Sequence, residues 1–300
     1  MQEQLTPDFG DYELIDTGDF EKLERFGRYV TRRPEPQAIW RRTLSEEEWR
    51  RTADAAFLRD ARSDERGEWR LAPKTPDRWT VEYSYRGMRL RMRLGLTSFK
   101  HVGIFPEQAA NWNFIYDECR KLAGDSGGAK VLNLFAYTGG ATLAAAAAGA
   151  SVCHVDAAKG MVAWAKENAK SSGLEAAPIR WIVDDCGKFV ERELRRGRCY
   201  DAIIMDPPSY GRGPSGEIWK LEENLYPFVE MVSKVLSDDP LFMIINSYTT
   251  GLAPSVLGYI MDTLVTKKYG GHTECGELGL PVRDTGLILP CGSTGRWTKD

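Results

Sequence analysis

From residue 111 onward, short apolar runs alternate with longer amphipathic stretches, and that rhythm admits few folds. The spacing predicts strands over 130–134, 151–155, 179–183, 202–205, 241–245 and 287–289. It predicts helices over 111–123, 140–148, 159–171, 187–195, 221–236 and 254–266. Strands alternating with helices of this length imply an α/β fold: a mostly parallel sheet with helices on both faces.

Before residue 95 the βαβ rhythm is absent. Trp79-Thr80-Val81-Glu82-Tyr83-Ser84-Tyr85 alternates as a half-buried strand, Arg86-Gly87 turns, and Met88-Arg89-Leu90-Arg91-Met92-Arg93-Leu94 alternates again. That pattern predicts a β-hairpin. Ser45 followed by Glu46-Glu47-Glu48 predicts a helix start. The expectation is two domains, a small mainly-β domain over 1–98 and an α/β domain over 99–300. Arginines of the first part alternate with apolar residues. They present either a basic hairpin face for RNA or, given nearly as many acids, a solvated ion-pair surface.

The chain has 300 residues and a net charge of −3, so no strongly basic footprint covers the whole of it. Its polar start, Met1-Gln2-Glu3-Gln4, does not read as a signal peptide, and the alanine-rich stretch 141–150 is too short to span a bilayer. The six cysteines are scattered without Cys-x-x-Cys or zinc-ligand spacing. The expectation is a cytoplasmic protein with reduced thiols, no structural metal and no membrane partner.

Four strand ends carry chemistry. The first strand of the α/β part ends in Phe135-Ala136-Tyr137-Thr138-Gly139, a glycine-bearing turn that is neither a dinucleotide fingerprint nor a Walker A loop. It suits a nucleoside ligand without phosphate, or it is an ordinary strand–helix turn. The second ends at Asp156, placed to accept both hydroxyls of a ribose, or simply to start a helix. The third leads into Asp184-Asp185-Cys186, where an acid can accept from an adenine amino group, cap the next helix, or do both. The run Ala202-Ile203-Ile204-Met205 then stops at Asp206-Pro207-Pro208-Ser209-Tyr210. Two prolines end further sheet pairing and stiffen a loop at the carboxyl end of a strand, where open α/β sheets bind ligands. Asp206 and the Pro207 carbonyl can accept from an amine, and Tyr210 can stack on a planar ring. An ordinary turn is the plainer alternative.

In order, these motifs resemble those of class I S-adenosylmethionine-dependent methyltransferases, in the branch with bacterial large-subunit ribosomal RNA methyltransferases. The resemblance covers the last two-thirds of the chain. It implies a seven-stranded, mostly parallel sheet with a reversed last strand. It implies S-adenosylmethionine as cofactor, released as S-adenosylhomocysteine. Phe135, Ala136, Tyr137, Thr138, Gly139, Asp156, Ala157, Asp185 and Cys186 are the implied contacts. Lys100 to Gln108 resembles the segment this branch folds over the cofactor, which adds Phe105 and Gln108; Phe105 can equally be a core residue.

Methylation at cytosine C5 needs a cysteine nucleophile. In this branch it follows strand four or five, and the corresponding stretches, Asp206 to Tyr210 and Asn246-Ser247-Tyr248-Thr249, contain none. The expected reaction is transfer to a nitrogen of an RNA base, ribosomal RNA leading. Asp206, Pro207 and Tyr210 are the catalytic residues, and Ser209 and Arg212 the substrate contacts. A small-molecule methyltransferase and a non-catalytic RNA-binding or assembly protein of the same fold are the alternatives. Base, target atom and oligomeric state are not readable.

Overall fold

In the computed structural model the described residues are 4–60, 66–124, 128–212 and 218–299. They form two compact units. One comprises residues 5–110 and 279–291, the other essentially 111–278 and 292–300.

After a two-residue strand β1 (Gln4–Leu5), the amino-terminal unit builds a five-stranded sheet. Its strands are β2 (Tyr12–Gly18), β3 (Glu21–Phe26), β4 (Tyr29–Pro34), β5 (Ala55–Arg59) and β6 (Gly67–Leu71), in that order. All neighbours are antiparallel except β4 and β5. The helix expected at Ser45 is α1 (Glu46–Thr52). Ser45 accepts from the Glu48 N–H while Glu48 accepts from the Ser45 N–H, a reciprocal cap that satisfies two exposed donors. α1 buries Trp49 against Ile15, Leu23 and Val30, and the indole N–H reaches Asp16 at 2.7 Å. The expected hairpin is β7 (Arg78–Tyr85) with β8 (Met88–Gly95), a two-stranded sheet paired from Arg78–Gly95 to Tyr85–Met88. Val81, Tyr83, Met88, Leu90, Met92 and Leu94 are buried on one face. The intervening residues point to the other face, as the two-residue period requires.

Helix α2 (Ala109–Arg120) leads into the second unit. Its sheet strands are β9 (Lys130–Leu134), β10 (Ser151–Asp156), β11 (Ile179–Val183) and β12 (Ala202–Met205). A short ribbon, β13 (Tyr210–Arg212) with β14 (Ile218–Lys220), follows β12. β15 (Phe242–Ser247), β16 (His272–Pro281) and β17 (Ile288–Thr298) complete the sheet. The order is β1-β16-β17-β15-β12-β9-β10-β11. β11, β10, β9, β12 and β15 run parallel, and β17 is antiparallel to β15. The reversed last strand is therefore present. β12 and β15 are buried along their whole length, as expected of central strands covered on both faces. The connecting helices are α3 (Gly140–Ala147), α4 (Lys159–Ser171), α5 (Cys186–Arg195), α6 (Leu221–Ser233) and α7 (Pro254–Met261).

The carboxyl-terminal third departs from the expected element bounds. The last strand runs well beyond 287–289, and β16 has no counterpart in the periodicity. Its glycines and glutamates, Glu274, Gly276, Glu277 and Gly279, obscure a strand made by pairing with β17. The expected helix over 254–266 changes to a π-helical turn at Asp262–Thr266 before a short α8 (Lys267–Tyr269).

Candidate functional site

The parallel register brings the informative strand ends to one edge. Leu134 pairs with Val155 and with Met205, and Met205 pairs with Ile245. The turn after β9, Asp156 of β10, Asp206 after β12 and Ser247 of β15 therefore lie at the carboxyl ends of neighbouring strands.

Three residues of the turn after β9 are left-handed: Phe135 (φ +55°), Tyr137 (φ +49°) and Gly139 (φ +91°). Two non-glycine residues in that region persist only where surroundings hold them. The Phe135 N–H donates to the Cys186 Sγ at 3.3 Å, and the Ala136 N–H to the Val155 carbonyl at 3.1 Å. The Tyr137 N–H donates to Asp156 at 2.8 Å. The Thr138 carbonyl accepts from Asn168 at 2.9 Å. Gly139 precedes α3, where a Cβ would stand 3.1 Å from that of Ala165 on α4; at Gly140 it would meet the Trp112 ring at 2.7–2.8 Å. The turn is thus pressed between two helices, and two glycines make the approach possible.

Asp156 accepts from Tyr137 on one carboxylate oxygen and from the Ala158 N–H on the other, each at 2.8 Å. Burial holds its carboxyl above the ordinary range, and the two backbone donors oppose that shift. A carboxylate has about four acceptor sites, so each oxygen keeps capacity for a further donor. Ala157 is exposed beside it. Asp185 caps α5, accepting from the Lys188 N–H at 2.9 Å, and Asp184 pairs with Arg192. Cys186 is buried, and burial pushes its thiol well up, which makes it a poor nucleophile.

Past β12, Pro207 is buried, while Pro208, Ser209 and Tyr210 are exposed, Tyr210 by 53%. Ser209 accepts from the Thr249 hydroxyl at 2.7 Å, and its carbonyl accepts from the Leu221 N–H at 3.0 Å. Tyr210 pairs with Lys220 and Arg212 with Ile218 across the β13–β14 ribbon. Residues 213–217 lie outside the described residues. Phe105 and Gln108 belong to the amino-terminal unit. Phe105 precedes a 3-10 turn at Pro106–Gln108, and its ring centroid is 5.2 Å from that of His101.

A family model described as S-adenosylmethionine-dependent methyltransferase matches residues 32–226, more than half of the chain. The chain belongs to that family. A crystal structure of an S-adenosylmethionine-dependent methyltransferase from Agrobacterium tumefaciens is 37% identical, with a TM-score of 0.90, covering 100% of this chain and 94% of that one. Curated relatives include a ribosomal RNA large subunit methyltransferase K/L of Shewanella frigidimarina, 33% identical over 49% of this chain and 20% of that protein. Another, methyltransferase K of Neisseria meningitidis, is 26% identical over 50% of this chain and 41% of that protein. The chain thus spans less than half the length of these curated relatives. A methyltransferase structure complexed with S-adenosylhomocysteine shares the fold at 18% identity and a TM-score of 0.69, covering 97% of this chain and 76% of that one.

Three further residues of this methyltransferase escape a reading by motif. Trp219 donates its indole N–H to the Pro208 carbonyl at 2.6 Å, and its ring centroid lies 6.0 Å from that of Phe135. Thr249 holds Ser209. His154, buried within β10, shares a hydrogen bond through its Nδ1 with the Thr142 hydroxyl at 2.9 Å, and Thr142 accepts from Asn133. A strand position with an apolar pattern gives no signal for such a chain.

Proposed function

We propose that this methyltransferase transfers a methyl group from S-adenosylmethionine to a nitrogen of a base in RNA, with ribosomal RNA as the substrate. One observation carries the reading: Asp206-Pro207 leaves β12 beside the turn that leaves β9, with Met205 and Leu134 paired. The names of the large-subunit relatives supply the RNA class.

The residues present fit the cofactor. The turn Phe135-Ala136-Tyr137-Thr138-Gly139 offers close backbone approach, and Asp156 keeps acceptor capacity for a ribose diol beside Ala157. Asp185 and Cys186 border the adenine. When bound, S-adenosylmethionine supplies an electrophilic methyl group on a sulfonium. The protein's part is orientation. Asp206 and the Pro207 carbonyl accept the two N–H bonds of an amine and aim its lone pair. Asp206 also accepts the proton that the nitrogen sheds. The Tyr210 ring, half exposed, stacks on the target base. Ser209 and Arg212 meet the flanking nucleotide. Both stretches after β12 and β15 lack cysteine, and Cys186 is held as a buried thiol, which supports nitrogen over ring carbon as the acceptor. Six unpaired cysteines and an RNA substrate fit a cytoplasmic setting.

The test is tritiated-methyl transfer to total RNA from a strain lacking the protein, followed by nucleoside analysis. A labelled N-methyl nucleoside is expected. A label on cytosine C5, or none in RNA with label in a small molecule, would overturn the reading.

A further inference from the structure

The hairpin β7–β8 departs in charge from the rest of the molecule. Its sequence, Arg78 to Gly95, holds five arginines (Arg78, Arg86, Arg89, Arg91, Arg93) against one acid, Glu82, in a chain whose net charge is −3. The structure sorts these charges onto one side. One face of the ribbon is apolar and buried. Arg78, Thr80, Ser84, Arg89 and Arg91 are exposed on the other, with Arg86 exposed at the turn. Arg93 opposes Thr80, Arg91 opposes Glu82 and Arg89 opposes Ser84. Arg89, Arg91 and Arg93 thus form a ladder at two-residue steps, about 6.8 Å apart.

Glu82 holds two rungs. Its carboxylate accepts from Arg89 at 2.8 Å and faces Arg91 at 3.1 Å. Arg78 has Asp77 at 4.0 Å, with both side chains about two-thirds exposed. By sequence the ribbon carries five guanidiniums to one carboxylate. Exposed ion pairs of this kind are weak and exchange readily with another anion. The Arg86 guanidinium stands 5.1 Å from the Tyr85 ring centroid, a flat cationic edge at the tip of the ribbon.

We infer that the arginine face of β7–β8 is a docking surface for the phosphate backbone of RNA, independent of base sequence; this rests on the RNA reading above. A planar guanidinium fork matches phosphate oxygens, and a regular row of forks matches a polyanion of regular repeat. Glu82 acts as an internal counter-anion that RNA phosphates displace.

The test measures binding of the full-length chain to polyuridylate and to a polyadenylate–polyuridylate duplex by fluorescence anisotropy over a range of salt. Polyglutamate serves as a polyanion of another class. The combined variant Arg78→Gln, Arg89→Gln, Arg91→Gln should weaken RNA binding at least about tenfold at moderate salt. It should also lower the slope of log K against log salt by about 2 on the single strand and somewhat more on the duplex. Arg41→Gln, Arg50→Gln, Arg51→Gln removes the same charge from elsewhere in the unit and should leave the slope near wild type. Glu82→Gln, which removes the one carboxylate of the ribbon, should tighten binding severalfold. Equal loss in both triple variants, or an unchanged slope in the hairpin variant, would overturn the surface. So would polyglutamate binding as tightly as RNA with the same loss. If the hairpin variant binds and methylates RNA like wild type, only this inference fails. If the wild type methylates no RNA, the functional reading itself fails.

Discussion

The Trp219 indole N–H donates to the Pro208 carbonyl at 2.6 Å, while the Trp219 ring centroid stands 6.0 Å from that of Phe135 and 5.4 Å from that of Phe228. One side chain thus touches both the Asp-Pro-Pro loop and the first residue of the cofactor-type turn. Trp219→Phe keeps the ring contacts and removes the donor. The predicted result is methyl transfer slower by about 2- to 10-fold, the equivalent of one net hydrogen bond. S-adenosylhomocysteine affinity should stay within about twofold. Single-turnover rates and calorimetry on the same preparations check this. Weakened cofactor binding with an unchanged rate would show that the ring, not the hydrogen bond, matters.

Asp156 fixes the turn through Tyr137 and Ala158. Asp156→Ala should therefore remove both the turn's anchor and the proposed ribose acceptor. A loss of about 1.5–3 kcal/mol in S-adenosylhomocysteine binding is expected for hydrogen bonds to a charged, half-buried group. Unchanged affinity by calorimetry would remove Asp156 from the cofactor site.

For Asp206→Ala, the proposed contacts are to the target amine. The transfer step should slow by about a hundredfold or more, and cofactor affinity should change little. Tyr210→Ala should raise the RNA KM, at about 1–3 kcal/mol for a lost stacking partner, and Tyr210→Phe should be mild. Full activity in Asp206→Ala would reduce the Asp-Pro-Pro run to a turn.

His154 is fully buried, and burial pulls its imidazole down to about 3, with Lys166 adding to the effect. Between that value and the ordinary histidine range, the unfolded chain binds a proton that the folded chain refuses. Unfolding free energy must then rise with pH across the window from about 3 to 6.5, by up to about 1.4 kcal/mol per pH unit from this group. Stability is lost as pH falls below about 6.5. His154→Asn keeps a polar partner for Thr142 but cannot titrate. Its urea-unfolding slope between pH 5 and 6.5 should be about one proton shallower than wild type. Parallel slopes would place the pH response in other groups.

Gly140 faces Trp112 of α2. Gly140→Ala must push an indole held in a packed core, so a destabilisation of about 1–3 kcal/mol is expected. Trp112→Phe in the same chain should recover part of it by vacating the contacted ring. An unaltered melting temperature in the single variant would show that the helix shifts freely.

Much of this was legible from local pattern. β9, β11, β12 and α4 fall on the residues that periodicity assigns; for β9 and β12 the reason is that buried parallel strands are near-continuous apolar runs, and α4 carries its own amphipathic stripe. The reciprocal Ser45–Glu48 cap and the β7–β8 hairpin were legible because their partners are neighbours in sequence.

What the sequence could determine by itself were the element types, the order of the strand ends and the residue kinds placed on them. The tertiary structure decided the rest. Pairing of β16 with β17 makes a strand of a glycine- and glutamate-rich stretch that has no period of its own. The approach of α3 and α4 turns Gly139 from a permissive residue into a required one. The contacts Trp219–Pro208, Thr249–Ser209 and Asn133–Thr142–His154 join residues 9 to 40 positions apart. Periodicity reports which face of an element is apolar; it carries no information on which distant hydroxyl, indole or imidazole that face will meet, because chain packing sets that geometry and the residue's neighbours in sequence do not.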